Sequence, residues 1–196
     1  MNEPIRSRRL ERCDRCGLAT ALCLCAELPR VATRTNVVLV MHKNELGRTS
    51  NTGRLALAVL ERAKLSVRGV LGGSRDEPPP GRRLVLFPAQ GARELAARDA
   101  ADSLTLVVPD GSWKQARRML SREAWARDAE VVRLPPTSSG RYDLRRQTRE
   151  GALCTFEAIA RALGLLEGGE LERELLGVLD AFLVRVRHMR VAGGSL

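Results

Sequence analysis

The sequence predicts an α/β domain with a mainly parallel sheet. Apolar runs of strand length, such as NVVLVMH and SLTLVVP, alternate with segments whose apolar residues recur at helical spacing. Strands that alternate with helices are typical of parallel sheets, whose strands are buried on both faces and read as continuous apolar runs. Polar segments follow several of these runs, at the strand ends where such sheets gather their ligands.

The first half of the domain is predicted as strand, helix, strand, strand and helix. The strands are short apolar runs bounded by polar segments, and the helices show apolar residues every three or four positions. In chain order the segments are NVVLVMH, RLALAVLERA, SVRGVL, RRLVLFP and ARELAARD.

The second half is predicted as strand, helix, strand, helix and helix. Its segments are SLTLVVP, a helix over 113–124, EVVRLPP, TFEAIARALGLL and a long helix from about Glu170. The last helix has one apolar stripe, typical of core packing or of a dimer face. The stripe contains Leu171, Leu175, Leu179, Phe182, Val186 and Met189.

The charge balance predicts attraction to polyanions. Lys and Arg total 33 against 23 Asp and Glu, a net charge of +10. An arginine-rich codon bias spread over solvated faces is the alternative, and composition does not decide between them. No apolar run approaches the ~20 residues of a membrane span, and the N-terminus lacks the apolar segment of a signal peptide. We therefore expect a cytoplasmic protein without a membrane partner.

Four cysteines near the N-terminus have metal-ligand spacing: Cys13-x2-Cys16-x6-Cys23-x-Cys25. The first pair can reach one ion from a tight turn, and the second pair can complete a tetrahedral four-sulfur site. Unliganded thiols or a redox pair are the alternative. We expect structural Zn²⁺ in a segment over 1–30, followed by a catalytic domain over 31–196. Cys154, far away in sequence, is interpreted as a packing residue.

Two strand-to-helix junctions concentrate polar residues. In VVPDGSWKQARRML, Asp110 ends a strand and Trp113 begins a helix. From the residues alone, Asp110 as a helix cap and Trp113 as a core residue are the favoured interpretation. In HKNELGRTSNTGR, Arg48 and helix amides can hold a carboxylate or phosphate and Glu45 a cation, but a plain helix cap at Ser50 or Asn51 is the alternative. No GxGxxG follows a strand and no P-loop occurs.

Taken together, these segments resemble the DTW-domain proteins, which are tRNA-uridine aminocarboxypropyltransferases. Two residues depart from the family's motifs: Ser112 stands where the naming motif has threonine, and Cys154 where the late motif usually has serine, whereas Thr155 and Glu157 match. The motifs, in the family's order, are CxxC-x6-CxC, MHKNELGRTSNTGRLA, LFPAQGARELA, VVPDGSWKQARRML and LRRQTREGALCTFEAIARAL.

The resemblance implies a fold related to the SPOUT methyltransferases, which can contain a trefoil knot and bind S-adenosylmethionine in carboxyl-end loops. It also implies transfer of the 3-amino-3-carboxypropyl group of S-adenosylmethionine to N3 of a tRNA uridine, with release of methylthioadenosine. The expected partners are therefore tRNA and S-adenosylmethionine, while monomer and homodimer both remain open.

The resemblance also suggests roles for residues. Asp110 is expected to accept the N3 proton, Glu45 and Arg48 to hold the transferred chain, and Trp113 to wall the pocket. The expected S-adenosylmethionine-binding residues are Glu45, Arg48, Asn51, Thr52, Phe87, Pro109, Ser112, Trp113, Leu134 and Thr155. Two groups of residues are expected to bind RNA. On a helical wheel Lys114, Arg118 and Arg122 share one face of the predicted helix over 113–124, where they can hold phosphates. The loop over 137–150 can grip phosphates and stack a base, because its arginines surround an aromatic side chain; its expected RNA-binding residues are Arg141, Tyr142, Arg145 and Arg146. The rival hypotheses are a SPOUT-type RNA methyltransferase and a non-catalytic zinc-containing RNA-binding protein.

Overall fold

The computed structural model describes residues 11–48, 50–70, 81–123, 126, 128–136 and 153–192. Its strands are β1 (Asn36–His42), β2 (Ala63–Arg68), β3 (Arg83–Leu86), β4 (Arg93–Glu94), β5 (Thr105–Asp110) and β6 (Glu130–Arg133). Its α-helices are α1 (Gly53–Val59), α2 (Trp113–Arg122), α3 (Thr155–Glu167) and α4 (Gly169–Ala192).

Within the described residues, the strands form one six-stranded sheet in the order β2-β1-β5-β3-β6-β4. Each pair of neighbouring strands is parallel. The predicted α/β class with a parallel sheet is therefore confirmed.

Alternate residues of each strand contact different helices, because successive side chains point to opposite faces of a sheet. Leu39 of β1 and Leu106 of β5 belong to the larger core, which includes α1, α3 and α4. Val40 and Val107, one position later on the same strands, belong to a smaller core beneath α2. The sheet thus has a thick side with three helices and a thin side covered by α2.

The apolar stripe of α4 packs into the larger core. Leu175, Leu179 and Phe182 are fully buried, and Leu171 packs against the same cluster. Of the two alternatives for the stripe, core packing is correct. Gly168 joins α3 to α4 with a φ of +124°, a conformation that L side chains rarely adopt.

The prediction of a helix over ARELAARD is wrong. Arg93 and Glu94 form β4, which pairs with β6, and Ala97–Asp99 form a single 3₁₀ turn. Leu95 is buried, and its N–H donates to the Arg133 carbonyl at 2.8 Å. Arg93 also forms two hydrogen bonds to Asp99 and two to Glu130. Strand pairing and ion pairs therefore override the helix propensity of this segment.

Smaller differences concern element boundaries and segments outside the described residues. Helix α1 ends at Val59, before the end of RLALAVLERA, and β2 begins at Ala63, before SVRGVL. Residues 76–80 of the DEPPPG loop and the arginine-rich loop over 137–150 lie outside the described residues. The trefoil knot is untested and stays a prediction.

The cysteine-containing segment packs onto the thick side of the sheet. Cys16, Leu18 and Leu24 are buried in the same core as α4. Arg12 donates to the Met189 sulfur at 3.3 Å, and Arg185 pairs with Glu27. The division at residues 30 and 31 stays a prediction. Among the helices that the structure describes, none has the length and apolar character needed to cross a membrane.

Candidate active site

The carboxyl ends of four neighbouring strands meet at one edge of the sheet. In the order β1, β5, β3 and β6, the residues at or just after these ends are His42, Asp110, Phe87 and Leu134. Asp110 pairs directly with Met41 of β1. Parallel pairing therefore brings together segments that the sequence predicted at strand ends.

Asp110 accepts hydrogen bonds through both carboxylate oxygens. The strand alternation directs it to the thick side of the sheet, like Leu106 and Val108. Its Oδ2 accepts from Asn51 Nδ2 at 2.6 Å, and its Oδ1 accepts from the Thr155 hydroxyl at 2.6 Å. The side chain is nearly buried, at 6% exposure. Asp110 thus connects the start of α1 to the start of α3.

The N-terminal turn of α1 is shaped around this carboxylate. Asn51 Oδ1 accepts from the Arg54 N–H at 3.3 Å, so its amide also serves the first turn of the helix. The Thr52 hydroxyl accepts from the Phe156 N–H at 3.3 Å. A Cβ added at Gly53 would lie 2.8 Å from Asp110 Oδ2, too close for any real side chain. The glycine therefore permits the close approach of α1 to Asp110.

The interpretation of Asp110 as a helix cap is wrong, because Ser112 caps α2. The Ser112 hydroxyl accepts from the Gln115 N–H at 3.3 Å, and Gln115 Oε1 accepts from the Ser112 N–H at 2.8 Å. These two bonds form a capping box. Gln115 Nε2 also lies 3.1 Å from His42 Nδ1, which accepts from the Asn44 N–H. The sequence singled out His42 only weakly and missed Gln115, whose capping-box spacing was the available signal.

Trp113 contacts Phe87 on the thin side of the sheet. The two ring centroids are 5.6 Å apart with a tilt of 58°. Both residues join the smaller core, whereas Asp110, Asn51 and Thr155 lie on the other side of the sheet. Pro109, the residue before Asp110 in β5, is partly buried, and Leu134 packs against the larger core. The structure therefore divides the expected S-adenosylmethionine-binding residues between the two faces at one edge.

Glu45 and Arg48 form an ion pair beside the end of β1. Arg48 Nε lies 3.4 Å from Glu45 Oε1, and the Glu45 side chain is nearly buried while that of Arg48 is 55% exposed. The guanidinium can therefore contact a bound anion while it balances the buried carboxylate.

The polar face of α2 presents cations to solvent. Lys114, Arg118 and Arg122 are exposed, as the helical wheel predicted, and Arg117 lies exposed beside them. The other four expected RNA-binding residues, Arg141, Tyr142, Arg145 and Arg146, lie outside the described residues.

The four N-terminal cysteines come together at one point. Their sulfur atoms all lie within 4.8 Å of one another, with 3.6 Å between Cys13 and Cys25 and 3.8 Å between Cys16 and Cys23. Four thiolates bound tetrahedrally to Zn²⁺ at about 2.3 Å would lie about 3.8 Å apart. A hydrogen bond from the Cys16 backbone lowers the pKa of Cys13 to about 6, whereas burial raises the pKa of Cys25 above its usual range. The donor set and its spacing therefore fit a closed metal site.

Cys154 has no features of a nucleophile. It precedes α3, and burial raises the pKa of its thiol to about 11. The thiolate fraction at neutral pH is therefore small. This agrees with the interpretation of Cys154 as a packing residue.

The family model of the DTW domain matches residues 10–187, which span the cysteine cluster, the sheet, α1 to α3 and most of α4. The chain belongs to the DTW domain family. The match includes the segment around Asp110 that the sequence resemblance identified.

Two curated proteins show how this DTW domain chain relates to others. It is 30% identical over 210 residues to tRNA-uridine aminocarboxypropyltransferase A of Arabidopsis thaliana, covering 87% of this chain and 79% of the relative. It is 28% identical over 182 residues to tRNA-uridine aminocarboxypropyltransferase 2 of Drosophila melanogaster, covering 86% of this chain and 71% of the relative.

A solved structure shares the fold of this DTW domain. The SAM-dependent rRNA:acp-transferase Tsr3 from Vulcanisaeta distributa superposes with a TM-score of 0.52 at 19% identity. The alignment covers 82% of this chain and 85% of that one. This likeness confirms the SPOUT-like fold class.

Proposed function

We propose that this protein transfers the 3-amino-3-carboxypropyl group of S-adenosylmethionine to N3 of a tRNA uridine. The observation that carries the proposal is the 30% identity to the Arabidopsis thaliana aminocarboxypropyltransferase over most of both chains. The site supports it, because a buried carboxylate, an amide, hydroxyls and an ion pair converge on the edge of the sheet where α/β folds bind ligands.

The reaction needs a base and an oriented acceptor. Uracil N3 forms a bond to the γ-carbon of the transferred chain, the bond from that carbon to sulfur breaks, and its electron pair stays on sulfur. The sulfonium of S-adenosylmethionine supplies the leaving group, methylthioadenosine. The N3 proton must pass to a base, and holding N3 in line with the γ-carbon can account for much of the acceleration.

Asp110 is the proposed base. The hydrogen bonds that it accepts from Asn51 and Thr155 fix the orientation of the carboxylate. The same bonds stabilise the charged carboxylate, so the gain from proton transfer should fall toward the lower end of the ~10²–10⁴ range of general-base catalysis.

The remaining residues are proposed to bind the two substrates. Arg48 would hold the carboxylate of the transferred chain, with Glu45 near its ammonium group. Phe87, Pro109 and Leu134 would cradle the adenosine, and Trp113 would support Phe87 from the thin side of the sheet. The residues proposed to contribute polar contacts are Asn51, Thr52, Ser112 and Thr155.

The exposed cations of α2 are proposed to hold tRNA phosphates. Lys114, Arg118 and Arg122 project from a helix that begins directly after Asp110 and Gly111. A phosphate backbone bound to this helix would therefore pass close to the proposed base. Structural Zn²⁺ in the cysteine cluster is proposed to hold the N-terminal segment in place, with no part in the chemistry.

Separate isotopic labels identify the transferred group. The purified protein is incubated with unmodified tRNA and S-adenosylmethionine labelled either in the methyl or in the carboxyl carbon, followed by nucleoside mass spectrometry. We expect carboxyl label on uridine and none from the methyl group. Methyl label on the RNA would identify a methyltransferase, and tRNA binding without any transferred label would identify a binding protein.

A further inference from the structure

The part of the chain that the structure describes forms a cavity of about 210 Å³ on the thick side of the sheet. It lies between the cysteine-containing segment, α1 and the edge strand β2. Asp14 and Arg15 line it from the first, Arg54 and Leu57 from the second, and Leu65 from the third. None of these residues belongs to the set expected to bind S-adenosylmethionine.

The cavity is built by the docking of the cysteine-containing segment on α1. Gly17 has a φ of +77°, and a Cβ there would lie 2.8 Å from Arg54 Nη1, so the glycine lets the segment close over the guanidinium. Arg15 donates to the Ala58 carbonyl at 3.4 Å, and Arg54 donates to the Leu46 carbonyl. Arg54 Nε is buried without a hydrogen-bond partner among the described residues. A charged donor is thus held in a cavity wall.

The lining combines an apolar surface with charged groups. Leu46 and Leu65 are 38% and 37% exposed, unusually open for large apolar side chains in this molecule. Arg15 and Arg54 provide two cations, and exposed Asp14 provides one acceptor. A flat apolar ring with N–H donors on its edge, attached to a phosphate, is complementary to each of these groups.

The size of the cavity favours a small occupant. Pockets for drug-sized ligands and cofactors span about 300–1,000 Å³, so about 210 Å³ is small for S-adenosylmethionine. A single nucleobase is a better match. RNA-binding proteins commonly take up unstacked bases individually and hydrogen-bond their edges.

The cavity is connected to the candidate active site through Arg54. The Arg54 N–H donates to Asn51 Oδ1, and Asn51 Nδ2 donates to Asp110. The side chain of Arg54 therefore extends into the cavity from the same helical turn that holds Asp110. An RNA strand with one nucleotide at Asp110 could place a nearby nucleotide here.

We propose that this cavity binds one unpaired nucleotide of the RNA substrate, close in sequence to the uridine that reacts. Leu46, Leu57 and Leu65 enclose the base, and Asp14 accepts from its edge. Arg15 and Arg54 contact its phosphate. This inference rests on the proposed function for the identity of the RNA.

The test fills the cavity and measures binding of unmodified in vitro transcribed tRNA. Ala58→Phe places a ring in the cavity, and Leu65→Ser removes apolar surface at a position that is already exposed. Ala101→Phe makes the same change at an exposed residue elsewhere and is the matched control. Since contacts to one base are worth roughly 5- to 150-fold in affinity, we expect tRNA binding to weaken about tenfold in Ala58→Phe and less in Leu65→Ser. The control should bind as the wild type does.

Binding of S-adenosylmethionine, measured by calorimetry, separates the two sites. We expect both cavity variants to keep it. If both bind tRNA normally, or if both lose S-adenosylmethionine, the inference is overturned. If Ala58→Phe does not fold, the binding of tRNA and S-adenosylmethionine by Leu65→Ser alone decides whether the inference holds.

Transfer of label by the wild-type protein tests the proposed function separately from the cavity inference. A wild-type protein that transfers label to tRNA while the cavity variants bind tRNA normally leaves the function standing and overturns the cavity inference. A wild-type protein that transfers nothing, with variants that bind tRNA weakly, overturns the function and supports the cavity as an RNA-binding site.

Discussion

At the scale of single residues, Asp110 has hydrogen-bond partners that the sequence around it does not indicate. Asn51 and Thr155 are far from it in sequence, and each donates to a different carboxylate oxygen at 2.6 Å. The carboxylate can therefore act in two ways, as an acceptor of the N3 proton or as the group that positions Asn51 and Thr155. The two roles can be separated by experiment, because only the role as base requires the negative charge to lie on residue 110.

A charge swap distinguishes these roles. Asp110→Asn should fold and bind tRNA, but its transfer rate should fall by roughly 10², the lower end of the range for general-base catalysis. The double variant Asp110→Asn with Asn51→Asp restores an amide-to-carboxylate hydrogen bond while moving the charge to α1. If Asp110 is the base, the swap restores thermal stability but not the single-turnover rate, because small displacements of a reacting group are costly. Recovery of the rate in the double variant would show that the charge only organises the site.

Cys154 is expected to react slowly as a thiol. Because burial raises its pKa to about 11, little thiolate exists at pH 7.5. Iodoacetamide treatment followed by peptide mass spectrometry should show slow modification that accelerates as the pH rises toward 11. Cys154→Ser should keep transfer activity, since no step of the proposed reaction uses the thiol. Rapid alkylation at pH 7 would contradict this assignment.

At the scale of elements, β4 depends on its ion pairs. Arg93 and Arg82 both donate to buried Asp99, and the hydrogen bonds from Arg93 hold the pKa of Asp99 well below its usual range. A carboxyl group with a depressed pKa stabilises the fold above its unfolded value of about 3.9 and loses that contribution as the pH falls through the folded value.

Asp99→Asn should therefore lower the free energy of unfolding at pH 7 by roughly 2 kcal/mol, because partly exposed arginines lose their charged acceptor. The difference between wild type and variant should shrink as the pH is lowered below about 4. Urea denaturation at several pH values measures both effects, and Asp102→Asn, at an exposed acid nearby, is the control. A difference that is constant from pH 7 to pH 3 would contradict the ion-pair account.

The basic face of α2 should control RNA affinity through electrostatics. Arg118→Gln with Arg122→Gln removes two exposed cations from this helix. We expect weaker tRNA binding and a dependence of log Kd on log salt that is reduced by about 2, one for each lost phosphate contact. The control is Arg30→Gln with Arg173→Gln, which removes two exposed cations elsewhere. Equal losses in both variants would indicate a general effect of net charge rather than a binding face.

At the scale of the whole molecule, the sequence was most informative where a feature depends on local periodicity. The apolar runs predicted five strands of the parallel sheet, and the spacing of the cysteines predicted their convergence. Family motifs, rather than local physics, brought Asp110 and Thr155 into one site. Local physics favoured Asp110 as a helix cap, which is wrong because Ser112 and Gln115 cap α2.

The features that the sequence missed depend on contacts between distant segments. The two-residue strand β4 exists because Arg93 pairs with Glu130 and Asp99, and its own residues favour a helix. The cavity between the cysteine-containing segment and α1 has no sequence pattern, since it requires Gly17, Arg54 and Leu65 to meet. Such features follow from tertiary structure alone.

Metal binding should stabilise the whole molecule, because the cysteine-containing segment shares one core with the helices of the thick side. Cys16 and Leu18 are fully buried in that core, next to residues of α4. We expect about one zinc per chain by mass spectrometry of the purified protein, since four cysteines form one closed tetrahedral set.

Cys13→Ser should lose the metal and lower the melting temperature by roughly 5–10 °C, as expected for a loss of a few kcal/mol in a chain of this size. Cys154→Ser makes the same substitution outside the cluster and should keep one zinc per chain. Because Asp14, Arg15 and Gly17 lie within the loop that the metal would close, Cys13→Ser should also weaken tRNA binding through the cavity. Reduced wild-type protein that contains no zinc, or a melting temperature unchanged after removal of zinc by a chelator, would contradict a stabilising metal site.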